Sequence, residues 1–162
     1  MEEIKFGFSY SSYGSINDLP EHLQNLLEKA KEVTKHAYAP YSRFHVGAAA
    51  RLVNGETITG TNQENASFPV GLCAERVLLS AISSQHPDVP IETIAISYKS
   101  AHQQSDHPIA PCGICRQTLL EYEIRLKSPI QLVLAGFTGK VYVLDSVSTL
   151  LPLAFSSGEL QF

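Results

Sequence analysis

The sequence predicts an α/β protein, a three-layer α/β/α sandwich around a mixed sheet of about five strands. Three observations carry this expectation. Helical periodicities alternate with short β-rich runs in the order α-β-β-α-β-α-β-β. An Asn-Gly pair at 54–55 separates two of the β-rich runs, as a tight hairpin requires. The length of 162 residues and 44% apolar content suit one compact domain rather than two. The domain expectation is therefore a single catalytic unit over residues 18–162, preceded by an N-terminal extension over residues 1–17.

The extension is rich in Ser, Tyr, Phe and Gly, and Ile4, Phe6, Phe8 and Tyr10 alternate along it. Such a segment suits a sheet edge, a neighbouring subunit or a loose arm. Asp18 followed by Glu21 resembles a capping box, and Leu23, Leu26, Leu27, Ala30, Val33 and Ala37 recur at helical spacing until Pro40, which predicts a helix over 19–37. Residues 46–52 and 56–61 read as the two hairpin strands. Cys73 opens an apolar-rich segment to Ser84, with Val77, Leu78, Ala81 and Ile82 on one face, which predicts a second helix. Residues 93–98 read as a buried strand. After a polar loop with His102, Asp106 and His107, Pro111 precedes a third helix that starts near Cys112 and continues through Leu119, Leu120, Tyr122, Glu123 and Leu126. Residues 130–135 and 141–144 complete the sheet around Thr138-Gly139.

Composition excludes several functions. Net charge is −4, and the twelve Lys and Arg are scattered, so no basic stripe offers a track for a phosphate backbone and polynucleotide binding is disfavoured. The start lacks a basic n-region with a long apolar h-region, and no later run reaches bilayer-spanning length, which predicts a cytoplasmic protein. Three cysteines, two of them in a C-x-x-C pair, argue for metal or redox use in a reducing compartment rather than a disulfide framework.

All three cysteines fall in two motifs, Cys73-Ala74-Glu75-Arg76 and Pro111-Cys112-Gly113-Ile114-Cys115. Zinc in a catalytic site takes three protein ligands and keeps the fourth position for water, so Cys73, Cys112 and Cys115 make a candidate zinc site with one ion per chain. Glu75 is too close in sequence to be needed as a ligand and is placed for proton transfer. Helix starts favour thiolate through the dipole and free N–H groups. Three thiolates on a divalent ion leave net negative charge, so a compensating cation is expected; Arg76 or Arg116 could donate to the sulfurs, or either could form an ordinary surface salt bridge. A C-x-x-C pair alone also fits a redox couple, and His102 or His107 as a fourth ligand would make the site structural.

A metal ligand, a spacer and a Glu followed later by Pro-Cys-x-x-Cys is the pattern of zinc deaminases. The chain further resembles the cytidine deaminase family of the small homotetrameric kind over about residues 20 to 156, through Tyr41-Ser42-Arg43-Phe44-His45-Val46-Gly47-Ala48-Ala49, Asn62-Gln63-Glu64-Asn65-Ala66-Ser67, Cys73-Ala74-Glu75-Arg76 and Pro111-Cys112-Gly113-Ile114-Cys115-Arg116-Gln117. The resemblance implies a cytidine deaminase-like fold and zinc-dependent hydrolysis of cytidine and 2′-deoxycytidine to uridine and 2′-deoxyuridine with release of ammonia, in pyrimidine salvage. It implies that Glu75 is catalytic, that Phe44 packs on the pyrimidine and that Asn62 and Glu64 bind the ribose 3′-hydroxyl. It also implies that the backbone at Ala66 and Ala74 holds the nucleoside, and that Phe155 reaches a neighbouring subunit's site in a homotetramer. Read without it, Phe44 is a core residue and Asn62 and Glu64 are turn residues. Phe68 stands where the family often has Tyr, which removes a hydroxyl from the substrate's 5′ side. The alternatives are a deaminase of a related aminopyrimidine such as blasticidin S, and a non-enzymatic zinc-binding module.

Overall fold

The computed structural model describes residues 1–160, and the last two residues of the expected 18–162 unit lie outside the described residues. The sheet contains β1 (Ser11–Tyr13), β2 (Phe44–Leu52), β3 (Thr57–Thr61), β4 (Ile91–Ser100), β5 (Gln131–Ala135) and β6 (Val141–Leu144), in the spatial order β1-β6-β5-β4-β2-β3. The β4–β5 pair is parallel, with the helix α3 (Gly113–Leu126) in the connection, and every other pair is antiparallel, so the sheet is mixed as expected. It has six strands rather than about five. The additional strand is β1, which pairs with β6 through Ser11 opposite Val143 and Tyr13 opposite Val141. The alternating residues Ile4, Phe6, Phe8 and Tyr10 do not form that strand; they precede it and are exposed, although the Tyr10 ring packs 4.7 Å from that of Tyr142.

Period-two alternation in the strands feeds two cores. Ala48, Ala50 and Leu52 of β2 join Ile94 and Ile96 of β4 beneath α2 (Ala74–Gln85) and α3, where Leu78, Leu79, Ile82 and Leu119 are buried. Ala49, Ala95 and Val133 face the opposite way, against Leu23, Leu26, Leu27 and Ala30 of α1 (Glu21–Val33). One helix on one face and two on the other make the predicted three layers.

The first helix starts and stops differently from the sequence expectation. Asp18 accepts from the Ser15 N–H at 2.8 Å and the Ser15 hydroxyl at 3.1 Å, closing a 3₁₀ turn over Ile16–Asp18, while Pro20 occupies the N-cap of α1. At the far end Thr34 turns its hydroxyl back to the Lys31 carbonyl at 2.7 Å, and the chain tightens into a 3₁₀ turn over Thr34–His36. The expected helix to residue 37 thus ends at Val33. The other elements fall within two residues of expectation.

Two glycines set the layer spacing. A Cβ on Gly47 would lie 2.1 Å from the Ala30 carbonyl oxygen, and one on Gly60 would lie 2.5 Å from the Leu78 amide nitrogen and 2.8 Å from the Ala74 carbonyl oxygen. Only a residue without a side chain lets α1 and the first turn of α2 approach the sheet this closely. The second approach matters most here, because the first turn of α2 carries the candidate site.

Candidate active site

Cys73 is the N-cap of α2 and Cys112 the N-cap of α3, both with extended backbone, and Cys115 lies in the first turn of α3. The two helix starts are brought together on one sheet face. The Tyr122 hydroxyl on α3 donates to the Leu79 carbonyl of α2 at 2.8 Å, inside the shared apolar core. Arg116 secures the start of α3 by donating to the Pro111 carbonyl at 2.9 Å and the Leu150 carbonyl at 3.1 Å. Arg116 is therefore a backbone clamp, and among the described residues it has neither a sulfur nor a carboxylate partner. Arg76 is half-buried, and its charge helps to hold the neighbouring Cys73 thiol down.

The Sγ atoms of Cys73, Cys112 and Cys115 lie within 4.8 Å of one another, with Cys73 to Cys112 at 3.8 Å and Cys112 to Cys115 at 3.4 Å. All three thiols are free. Zinc–sulfur bonds of about 2.3 Å at tetrahedral angles put sulfurs roughly 3.8 Å apart, so the spacing and chemistry of the donors fit zinc. The cluster already shares its protons: hydrogen bonding to Cys115 holds the Cys73 thiol at about 6, below its ordinary value, while the bond to Cys73 together with burial pushes Cys115 up. Among the described residues this is the group able to hold a metal ion. His102 is exposed, and the His107 ring sits against Tyr98, so neither histidine joins the sulfurs.

Beside the sulfurs opens a cavity of about 510 Å³, whose lining includes Phe44, Val46, Asn62, Glu64, Cys73, Ala74 and Glu75. Its size falls within the usual range for small-molecule sites. Glu75 is 6% exposed, and burial pushes its carboxyl above the ordinary carboxylate range. A buried acid at the wall of a cleft, beside the three sulfurs, is placed for proton transfer. Phe44 forms another wall, its ring stacked 4.9 Å from that of Tyr98 with 19° between planes.

Asn62 and Glu64 line the cavity and also build it. The Asn62 side-chain oxygen accepts from the Val46 N–H at 2.7 Å, and its amide donates to the Phe44 carbonyl at 2.8 Å, so it clamps the start of β2. One lone pair and one N–H of that amide remain for a ligand. Glu64 accepts from the Tyr41 N–H at 2.9 Å, the Ser42 N–H at 3.3 Å and the Ser42 hydroxyl. Burial opposes its ionisation, but the three hydrogen bonds prevail and hold the carboxyl below its ordinary value. Turn stabilisation and site lining are thus the same residues' work, and both sequence readings of Asn62 and Glu64 describe part of it.

Ala74 is fully buried in the cavity wall, whereas Ala66 is exposed and outside the lining. Phe155 is 59% exposed and lies away from its own chain's cavity, with its carbonyl accepting from Gln117 at 3.0 Å. Phe68 is 75% exposed at the cavity mouth. The lining adds Val46, Leu72, Ile109 and Ala110, which sequence reasoning passed over. Val46 was accessible from the alternation with Phe44 along β2; Ile109 and Ala110 sit in a loop without periodicity.

A three-cysteine centre at two helix starts, with a buried glutamate beside it on an α/β/α sheet, defines the zinc-deaminase class. Residues 20–127 match the model of the cytidine and deoxycytidylate deaminase zinc-binding region, and the chain belongs to that family. It is 36% identical to a cytidine deaminase of Halalkalibacterium halodurans over 138 residues, 85% of this chain and 96% of that protein. It is also similar to the crystal structure of cytidine deaminase from Burkholderia pseudomallei, with a TM-score of 0.69 and 39% identity over 85% of this chain and 100% of the other. A blasticidin-S deaminase of Bacillus cereus is a more distant relative, 31% identical over 81% of this chain and 90% of its own length. No helix among the described residues is long and apolar enough to cross a membrane.

Proposed function

We propose that the chain hydrolyses cytidine and 2′-deoxycytidine to the corresponding uridines and ammonia, as an enzyme of pyrimidine salvage. The observation that carries this reading is the buried Glu75 carboxyl beside three convergent cysteine sulfurs, at the wall of a cavity that also presents Phe44, Asn62 and Glu64. Cys73, Cys112 and Cys115 would hold one zinc ion, which when bound supplies a Lewis acid that ionises water near neutral pH. Glu75 takes one proton from the attacking water and delivers it to ring N3 as the C4–O bond forms, then takes the second from the new C4 hydroxyl and passes it to the amine, which leaves as ammonia when the C4–N bond breaks. The Phe44 face packs on the flat pyrimidine, and the free capacity of Asn62 and Glu64 meets the ribose 3′-hydroxyl. Backbone groups at Ala74 border the nucleoside, and Arg76 offsets the charge of the thiolates.

The exposed Phe155 supports a homotetramer in which that ring completes a neighbour's pocket. Three free thiols suit a reducing, cytoplasmic setting, and residues 18–162 serve as one catalytic unit behind the extension. An ultraviolet assay on zinc-analysed protein with cytidine, deoxycytidine, cytosine and cytidine monophosphate tests the substrate. Cytidine and deoxycytidine should rank well above the others, because a site that hydrogen-bonds ribose leaves polar groups unpaired when the sugar is absent. Cytosine ranking first would sink the nucleoside reading.

A further inference from the structure

Tyr98 is fully buried on β4, two positions before the strand's end, and takes no part in the chemistry above. Its ring backs the Phe44 platform, stacked at 4.9 Å. Its hydroxyl lies 3.3 Å from Nδ1 and 3.4 Å from Nε2 of His107, which belongs to the loop joining β4 to α3. Burial and the nearby Asp106 carboxylate hold the phenol above its ordinary range, so it stays protonated and donates. The Asp106 carboxylate lies 3.1 Å from His107 Nδ1, and in the tautomer that carries its proton on that nitrogen Nε2 is the acceptor for Tyr98.

The loop is pinned on both sides of this contact. Before it, the Ser105 carbonyl accepts from the Phe137 N–H at 2.6 Å and the Thr138 N–H at 3.2 Å, and the backbone of 105–106 packs on Gly136 and Gly139. After it, Pro111 is held by Arg116. Among the described residues, the stretch 107–110 makes no backbone-to-backbone hydrogen bond to the rest of the chain, and the His107 backbone meets the Tyr98 phenol instead. Yet Ile109 and Ala110 in that stretch line the substrate cavity together with Phe44.

We propose that Tyr98 and His107 form a latch that sets two walls of the substrate cavity together, the Phe44 platform through ring stacking and the Ile109-Ala110 wall through the phenol-to-imidazole hydrogen bond. Both are positioning residues, and as far as substrate is concerned the proposal rests on the deaminase reading. Loss of the hydrogen bond should loosen substrate binding and leave zinc and the chemical step alone.

The test uses the zinc-loaded full chain with Tyr98→Phe, which keeps the stack and loses the hydroxyl, and with His107→Ala, an exposed position where folding is not at stake. A net hydrogen bond predicts a KM for cytidine raised about threefold to tenfold in each, with kcat within about twofold and zinc content unchanged. The double variant should be no worse than either single one, because both remove the same contact. Limited proteolysis by a broad-specificity protease should cleave between residues 106 and 110 at least about threefold faster in both variants. Unchanged KM and unchanged cleavage in both variants would overturn the latch, as would loss of zinc in parallel with KM, which would make the pair a general structural support. If the wild-type chain does not turn over cytidine, the function above fails separately: faster cleavage in both variants then upholds the latch, and unchanged cleavage overturns it.

Discussion

Alanine at Gly60 is a direct test of how the sheet places the site. The added methyl group would lie 2.5 Å from the Leu78 nitrogen, 2.8 Å from the Ala74 oxygen and 2.8 Å from the Leu78 Cα. All three are backbone atoms of α2, so no side chain can swing aside. Ordinary contact begins near 3.4 Å, and the first turn of α2 must retreat by about 0.9 Å. That turn carries Glu75 and follows Cys73, whereas Cys112 and Cys115 ride on α3 and stay. Metal–ligand distances tolerate only about ±0.2 Å, so zinc affinity should drop by at least tenfold. Displacing a proton-transfer group by ~1 Å should cost about 10²-fold in turnover. Overpacking costs about 1–3 kcal/mol, or about 2–12 °C in Tm for a chain of this size. The control is Gly47→Ala, whose methyl group would meet the Ala30 oxygen at 2.1 Å and displace α1 on the other face. Zinc titration with a competing chelator, the cytidine assay and thermal melts would be run on both variants. The reasoning is refuted if Gly60→Ala loses stability as Gly47→Ala does but keeps wild-type zinc affinity and turnover.

Glu75→Gln preserves size and the buried position, so zinc content and Tm should hold while turnover falls about 10²–10⁴-fold; near-normal turnover would remove Glu75 from its role. Glu64 has its folded pKa depressed by the hydrogen bonds from Tyr41 and Ser42, so its contribution to stability is present above the ordinary carboxylate range and lost as pH falls through the depressed value. The stability gap between wild type and Glu64→Gln should therefore be open at neutral pH and close under acid, and urea melts across that range that show a constant gap would contradict the assignment. Phe155→Ala should raise KM with little effect on zinc, and sedimentation should give a tetramer for the wild type; a fully active monomer would refute the shared pocket.

Sequence made the chemistry more legible than the walls around it. Cys73 and Cys112 were readable as helix starts because each stands directly before an apolar periodicity, and the structure puts both at N-caps. Their convergence followed from the coordination demand of one ion. Strand β1 was not readable as such, because Ser11-Ser12-Tyr13 lacks β-branched residues and its partner β6 is distant in sequence. The apparent capping pair of Asp18 and Glu21 misled for a local reason, since Asp18 turns back to Ser15 and Pro20 intervenes. Ile109, Ala110 and the Tyr98–His107 contact depend on how a loop lies over a sheet, which no periodicity encodes.

The three-residue strand β1 has one more effect. An uncovered strand presents a row of N–H and C=O groups to which any passing extended chain can add, a common start for aggregation. Without β1, the strand left bare would be β6, whose Val141, Val143 and Leu144 are β-prone apolar residues. With β1 in place, the outermost strand on that side is a short Ser-Ser-Tyr segment that runs into a 3₁₀ turn at Ile16, too brief to template a long ladder. The N-terminal segment thereby acts as selvage, a narrow finished border that keeps the sheet from growing by accretion of further strands.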